Sequence, residues 1–312
     1  MAAKTTIHVP HLGGIDVGYR LSSPFDPSKP TLVLVNSMCT TSSLYDLQFS
    51  SARLTQAVNL LAIEPLGHGA TALSSGSPKS DEGHGPDRHF TYWDSATMSL
   101  QVMEALSISA AFCLGTSQGG WIVMRMALLA PDRVLGVLPL GTSMDCESAD
   151  SREKGCWDPQ TSLRPFLEAW TSDTATPDFA VSEVWCGMVA SLGFGDSVGS
   201  ETIEFWKKTV KDVYFGDAGR MKLRMALICL LERDGLLFRV GDVRCPVYWL
   251  QGDQDPVFGT IVPEEQIKLF TSSVEARLDF VKGGGHYLNA TRPVEVEEAV
   301  LEMVSKYALG SG

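Results

Sequence analysis

The residues best suited to chemistry are a serine, a histidine and an aspartate lying far apart in the chain. Ser117 sits in Gly115-Thr116-Ser117-Gln118-Gly119, directly after the strand-like AAFCLG and before the helix-like WIVMRMALL. A serine on a sharp strand-to-helix turn needs small neighbours, because the strained backbone leaves no room for flanking side chains; the glycines provide this. Such a turn lifts the hydroxyl above a sheet. It also sets the amide of Gln118 at a helix N-terminus, where it can stabilise an oxyanion.

Serine at its own pKa is a poor nucleophile and needs a base within hydrogen-bond reach. His286, in Gly283-Gly284-Gly285-His286-Tyr287, follows the strand-like RLDFVK and precedes the last helical segment, so it can project over the sheet edge. The other histidines fit less well. His8 and His11 lie near the N-terminus, His84 and His89 belong to a polar stretch and its exit, and His68 in Leu66-Gly67-His68-Gly69 reads as a structural turn residue. The base in turn needs a carboxylate to fix its tautomer. Asp255, in Gly252-Asp253-Gln254-Asp255-Pro256, is preferred, with Asp253 shaping the turn; Asp145, just after VLGVLPLGTS, is a rival.

These side chains need a scaffold that brings them together. Apolar runs at 31–37, 59–65, 110–117, 134–143 and 245–253 alternate with helix-length segments at 94–107, 118–130 and 294–307. Runs buried on both faces indicate a parallel sheet covered by helices. In the last helix Val296, Val300, Met303 and Val304 fall on one face. TTIHVP and GIDVGYRLSS read as an antiparallel hairpin at the sheet edge. Residues 72–88 are rich in Gly, Ser and Pro and read as a long surface loop.

Between about 145 and 238 the alternation gives way to helical segments at 162–171, 178–192, 202–214 and 218–233, carrying Trp157, Trp170, Trp185 and Trp206. A stretch this aromatic between two sheet strands reads as a helical cap over a site. The expected fold class is therefore α/β, a mostly parallel doubly wound sheet with a helical cap insertion. The core is 1–144 and 239–312, and the cap is 145–238.

Residues 31–143 and 245–307 resemble the α/β-hydrolase superfamily, in which an oxyanion loop, a GxSxG elbow, a GxxDP turn and a late GxxH-type loop occur at these relative positions. Ile63-Glu64-Pro65-Leu66-Gly67-His68-Gly69 and Leu129-Ala130-Pro131-Asp132-Arg133-Val134 add to the likeness. Ser117, Asp255, His286 is also the superfamily's chain order. By position, the resemblance makes the Met38 N–H the second oxyanion donor beside Gln118. Where many members carry His-Gly, this chain reads Asn36-Ser37-Met38-Cys39, so Asn36 or Ser37 can reshape the loop or add a side-chain donor. FTYWDSA, LGTSQGGW and LGTSMD are similar to a group of fungal hydrolases of secondary-metabolite pathways.

The leading functional expectation is hydrolysis of an ester, lactone or thioester of a small to medium apolar acid through Ser117, with Cys39, Trp157, Trp185 and Tyr287 contacting substrate. Two other classes stay open: C–C cleavage, lyase or acyl-transfer chemistry on the same triad, and a non-catalytic small-molecule receptor. Epoxide hydrolase and dehalogenase chemistry would need an aspartate in place of Ser117. The expected partner is a small-molecule substrate, with a homodimer through exposed cap surfaces also allowed for.

At 312 residues with 44% hydrophobic content, the chain can bury a large core. Its net charge of -12 and lack of a basic run disfavour nucleic acid. Seven cysteines without a CxxC pair read as reduced buried thiols. There is no signal-like apolar start, and no run reaches the ~18 residues that span a bilayer. A cytoplasmic enzyme without membrane contact is expected. No metal or cofactor is expected either, since HxxxH, HxH, GxGxxG and phosphate-loop patterns are absent.

Overall fold

In a computed structural model of the protein, which describes residues 5–74 and 89–308, the apolar runs become neighbouring strands of one sheet. The predicted hairpin is present: β1 (Thr5–Val9) pairs antiparallel with β2 (Ile15–Leu21) at the sheet edge. The other strands are β3 (Thr31–Val35), β4 (Asn59–Ile63), β5 (Ala72–Leu73), β6 (Ala111–Thr116), β7 (Val134–Leu140), β8 (Val247–Gly252) and β9 (Ala276–Val281). Their order is β1-β2-β4-β3-β6-β7-β8-β9, with β5 added against β2. From β4 to β9 along this path every pairing is parallel.

Strand alternation explains why these runs are apolar throughout. On β3, Val33 and Val35 enter the core on one face, and Leu32 and Leu34 the core on the other. A strand sandwiched between two helical layers has no wet side. Five helices lie between β3 and β7 or flank them: α1 (Asp46–Ser50), α2 (Ala52–Ala57), α3 (Tyr92–Ala105) and α4 (Gln118–Leu129), with α12 (Pro293–Tyr307) arriving from the end of the chain. Val296, Val300, Met303 and Val304 of α12 are all buried, as their spacing predicts. A capping box between Thr91 and Asp94 starts α3 two residues before the expected 94.

Between β7 and β8 the chain forms α5 (Ala149–Glu153), α6 (Pro159–Ala169), α7 (Glu183–Phe194), α8 (Ser200–Val213) and α9 (Gly216–Leu231). Phe166 and Trp170 pack edge-on against Trp185, with ring centroids 4.9 and 4.8 Å away. Much of the aromatic content therefore holds this insertion together. After β8 come α10 (Ile261–Gln266) and, past β9, α11 (Leu288–Thr291).

The 72–88 loop is corrected at its start, because Ala72 and Leu73 pair with Asp16 and Ile15 of β2. Its remainder from 75, with His84, and the tail from 309 lie outside the described residues. Among the described residues no helix is long and apolar enough to cross a membrane.

Candidate active site

The strands stop short of their apolar runs, and the residues left over build the site. β3 ends at Val35 rather than 37, β7 at Leu140 rather than 143, and β6 at Thr116. Ser117, Asp255 and His286 all lie beyond the carboxyl ends of strands, following β6, β8 and β9. β6 and β3 are where the strand order reverses, the place at which open α/β sheets leave a crevice.

Ser117 adopts φ 54° and ψ −118°, a conformation a non-glycine residue rarely takes. The turn is tight enough to require its glycines. A Cβ on Gly115 would stand 2.1 Å from the Gly119 carbonyl oxygen, and one on Gly119 would stand 2.0 Å from that of Val35. Ser117 N–H donates to Leu140 O at 2.8 Å, tying the turn to the neighbouring strand. Gln118 is the first residue of α4, so its N–H belongs to the helix end that has no intrahelical acceptor.

His286 Nδ1 lies 3.0 Å from Asp255 Oδ2, and both side chains are buried. An ionised carboxylate only accepts, so Nδ1 carries the proton and Nε2 is left with a free lone pair. Asp255 is fixed in turn by Val257 N–H at 2.8 Å and Gln251 Nε2 at 2.9 Å. The rival Asp145 does not face the histidine. Its carboxylate accepts from Cys146 N–H at 2.7 Å and from the hydroxyls of Ser148 and Ser151. Asp253 shapes the turn as expected, accepting from Gly283 N–H at 2.7 Å and so anchoring the histidine loop.

Ser117 and His286 line one cavity together with Ser37, Met38 and Tyr287. Its remaining wall is Trp121, Val257 and Phe258 from the sheet layer and, from the insertion, Glu147 and a set of apolar residues that includes Trp157, Leu163, Trp185 and Leu230. Of the four residues expected to contact substrate, Trp157, Trp185 and Tyr287 line this cavity and Cys39 does not. Its thiol faces Trp185 and Tyr214 instead, where burial pushes it up to about 12.

The unusual Asn36-Ser37 pair has a definite role. Asn36 Nδ2 donates to Thr40 O at 2.9 Å and so braces its own loop instead of entering the cavity. Ser37 Oγ donates to Tyr287 Oη at 3.0 Å, linking that loop to the residue after the histidine. His68 is a buried turn residue, with Nδ1 2.9 Å from Leu66 O and Nε2 3.0 Å from Gln118 Nε2. Burial lowers it to about 4, which keeps it neutral. Sequence reading missed Glu147, which also lines the cavity, and Gln251 behind Asp255. A polar loop residue and a strand-end amide carry no pattern that would flag them.

Residues 32–299 match the Alpha/beta hydrolase family. No curated protein is significantly similar in sequence. Among solved structures, a hydrolase from Pseudomonas aeruginosa is 22% identical with a TM-score of 0.72, over 97% of this chain and 99% of that one. A thermophilic esterase from Thermogutta terrifontis is 16% identical with a TM-score of 0.74, over 97% and 98%. An enol-lactonase from Burkholderia xenovorans is 17% identical with a TM-score of 0.72, over 96% and 100%. At these identities the likeness shows the fold.

Proposed function

Because the chain belongs to the alpha/beta hydrolase family, we propose that it is a serine hydrolase cleaving an ester, lactone or thioester of a small to medium apolar organic acid. In this reading the free lone pair on His286 Nε2 takes the proton from Ser117 Oγ as that oxygen attacks the carbonyl carbon. Asp255 holds the imidazole and stabilises the imidazolium. The Met38 and Gln118 backbone N–H groups donate hydrogen bonds to the developing oxyanion. His286 then returns its proton to the leaving oxygen or sulfur, and water, deprotonated by the same base, releases the acid.

The observation that carries this reading is the 3.0 Å His286–Asp255 contact in the wall of a cavity that also holds Ser117. The aromatic and aliphatic residues of 145–238 support a cap that roofs an apolar substrate, and the likeness of FTYWDSA and LGTSMD to fungal secondary-metabolite hydrolases agrees with that substrate class. The acidic charge and buried thiols fit a cytoplasmic enzyme working on small molecules.

A fluorophosphonate probe should label the wild-type chain at Ser117, and Ser117→Ala should lower kcat on a responsive p-nitrophenyl ester by about 10⁶. Near wild-type turnover in purified, folded Ser117→Ala protein would overturn the proposal.

A further inference from the structure

Of the two N–H groups given to the oxyanion, that of Gln118 is aimed by a helix, whereas that of Met38 stands in a loop and needs another means of keeping its direction. Part of that means is local. The Ser37 carbonyl accepts from Thr40 Oγ1 at 2.8 Å and from Thr40 N–H and Asn36 Nδ2, each at 3.2 Å. In a trans peptide the next N–H points opposite to the carbonyl, so these donors turn the Met38 N–H out of the loop. No described residue accepts it, and Met38 lines the same cavity as Ser117.

Bonds among residues 36–40 set which way the peptide faces, not where it stands relative to Ser117. Gln118 Nε2 reaches the loop only at Asn36 O, 3.4 Å away. Tyr287 reaches the peptide itself. Its Oη accepts from Ser37 Oγ at 3.0 Å and donates to Met38 O at 3.5 Å, the first contact carrying the link and the second weak. Ser37 and Tyr287 are 1% and 3% exposed, so water does not compete for the bond, and losing it would leave a buried hydroxyl unpaired. Burial also pushes the Tyr287 phenol up, which keeps its proton in place. Tyr287 is seated in turn by α7: its N–H donates to Gly193 O at 2.9 Å, and its ring meets Phe194 edge-on with centroids 5.1 Å apart.

We propose that Tyr287 is a positioning residue for the oxyanion, its hydroxyl acting through Ser37 to hold the Met38 N–H where the transition state needs it. The inference rests on the hydrolase reading above. It gives a task to Ser37 of Asn36-Ser37, the pair standing where many superfamily members carry His-Gly. Tyr287→Phe removes one oxygen and leaves the ring against Phe194; Ser37→Ala removes the other end of the same bond.

On a p-nitrophenyl ester each variant should lower kcat/KM by about tenfold or more, and a trifluoromethyl ketone, whose adduct with Ser117 carries an oxyanion, should bind more weakly by a similar factor. Ester binding measured by calorimetry in a Ser117→Ala background should stay within about twofold, because the ground state forms no oxyanion. The double variant should lose no more than the worse single one, since both delete one link. Wild-type turnover in both folded variants overturns the proposal. So do losses that multiply in the double variant, or that appear equally in ester binding, as a general loosening of the cavity would give. Any of these in an enzyme that takes the fluorophosphonate at Ser117 rejects the role of Tyr287 alone. A wild-type chain that neither takes the probe nor turns over esters rejects the Ser117 reading, and the role of Tyr287 falls with it.

Discussion

A single ring nitrogen ties the serine turn to the solvent's pH. Leu66 O can only accept, so His68 carries its proton on Nδ1 and receives the Gln118 side-chain amide on Nε2. The Gln118 carbonyl oxygen accepts in turn from Tyr92 Oη at 3.3 Å, so a second proton on His68 would break the chain beside Ser117. Burial is the main reason that the ring's pKa falls from 6.5 to about 4. Between those values the unfolded chain binds more protons at this ring than the folded one. Its contribution to stability is therefore complete above pH 6.5 and is lost as pH falls toward 4, by about 2 kcal/mol at pH 5. Urea unfolding at pH 7 and pH 5 checks this: the wild-type chain should lose about 2 kcal/mol more than His68→Gln. Equal losses would mean that the ring titrates normally in the fold.

The same distinction between positions and partners explains what could be read before the fold was known. The parallel strands were legible because a strand buried on both faces is apolar at every residue, as in TLVLV and NLLAI. Their ends were overestimated, because residues such as Asn36, Ser37, Thr142 and Ser143 are buried above the sheet, beyond its ladder. Ser117 and His286 were legible from their turns; Asp255 was preferred over Asp145, but both follow strand ends, and it is the hydrogen bonds that decide between them. The five-residue α5 is too short and polar to show a period. Contacts between the insertion and the histidine loop are longer in range still. Gly193 of α7 accepts from Tyr287 N–H at 2.9 Å, and a Cβ there would stand 2.2 Å from the Tyr287 ring. Gly187 on the same helix has nothing within 4 Å of that position. Gly193→Ala should lower stability by about 1–3 kcal/mol and reduce kcat by displacing the residue next to His286. Gly187→Ala should instead raise stability by up to ~1 kcal/mol through helix propensity. Thermal unfolding and ester turnover of the two variants measure this, and matching effects would deny that α7 seats against the histidine loop.

Across the whole molecule, one apolar core runs without interruption from the sheet into the insertion. Val33 and Val35 of β3 and Trp121 of α4 belong to the same buried cluster as Trp170, Trp185, Leu223 and Leu227. A shared core predicts that α5–α9 do not open before the sheet does, and the cysteines report this directly. Cys156, Cys186 and Cys229 lie in the insertion and Cys113 in β6, all buried, while Cys146 is exposed and Cys245 half-buried. Only the thiolate reacts readily, and burial raises Cys156 and Cys245 to about 12. In native buffer a disulfide-exchange reagent should therefore react first at the exposed Cys146, though desolvation and the neighbouring Asp145 carboxylate raise its thiol and slow it, and in full denaturant at all seven cysteines. As urea is raised, the insertion thiols and Cys113 should become reactive in one transition, because neither layer keeps a buried face without the other. Mass spectrometry of the labelled peptides reads the order. Labelling of Cys156, Cys186 and Cys229 at a urea concentration that still protects Cys113 would show that the insertion opens on its own over a standing sheet, and the single continuous core would not be what holds the two together.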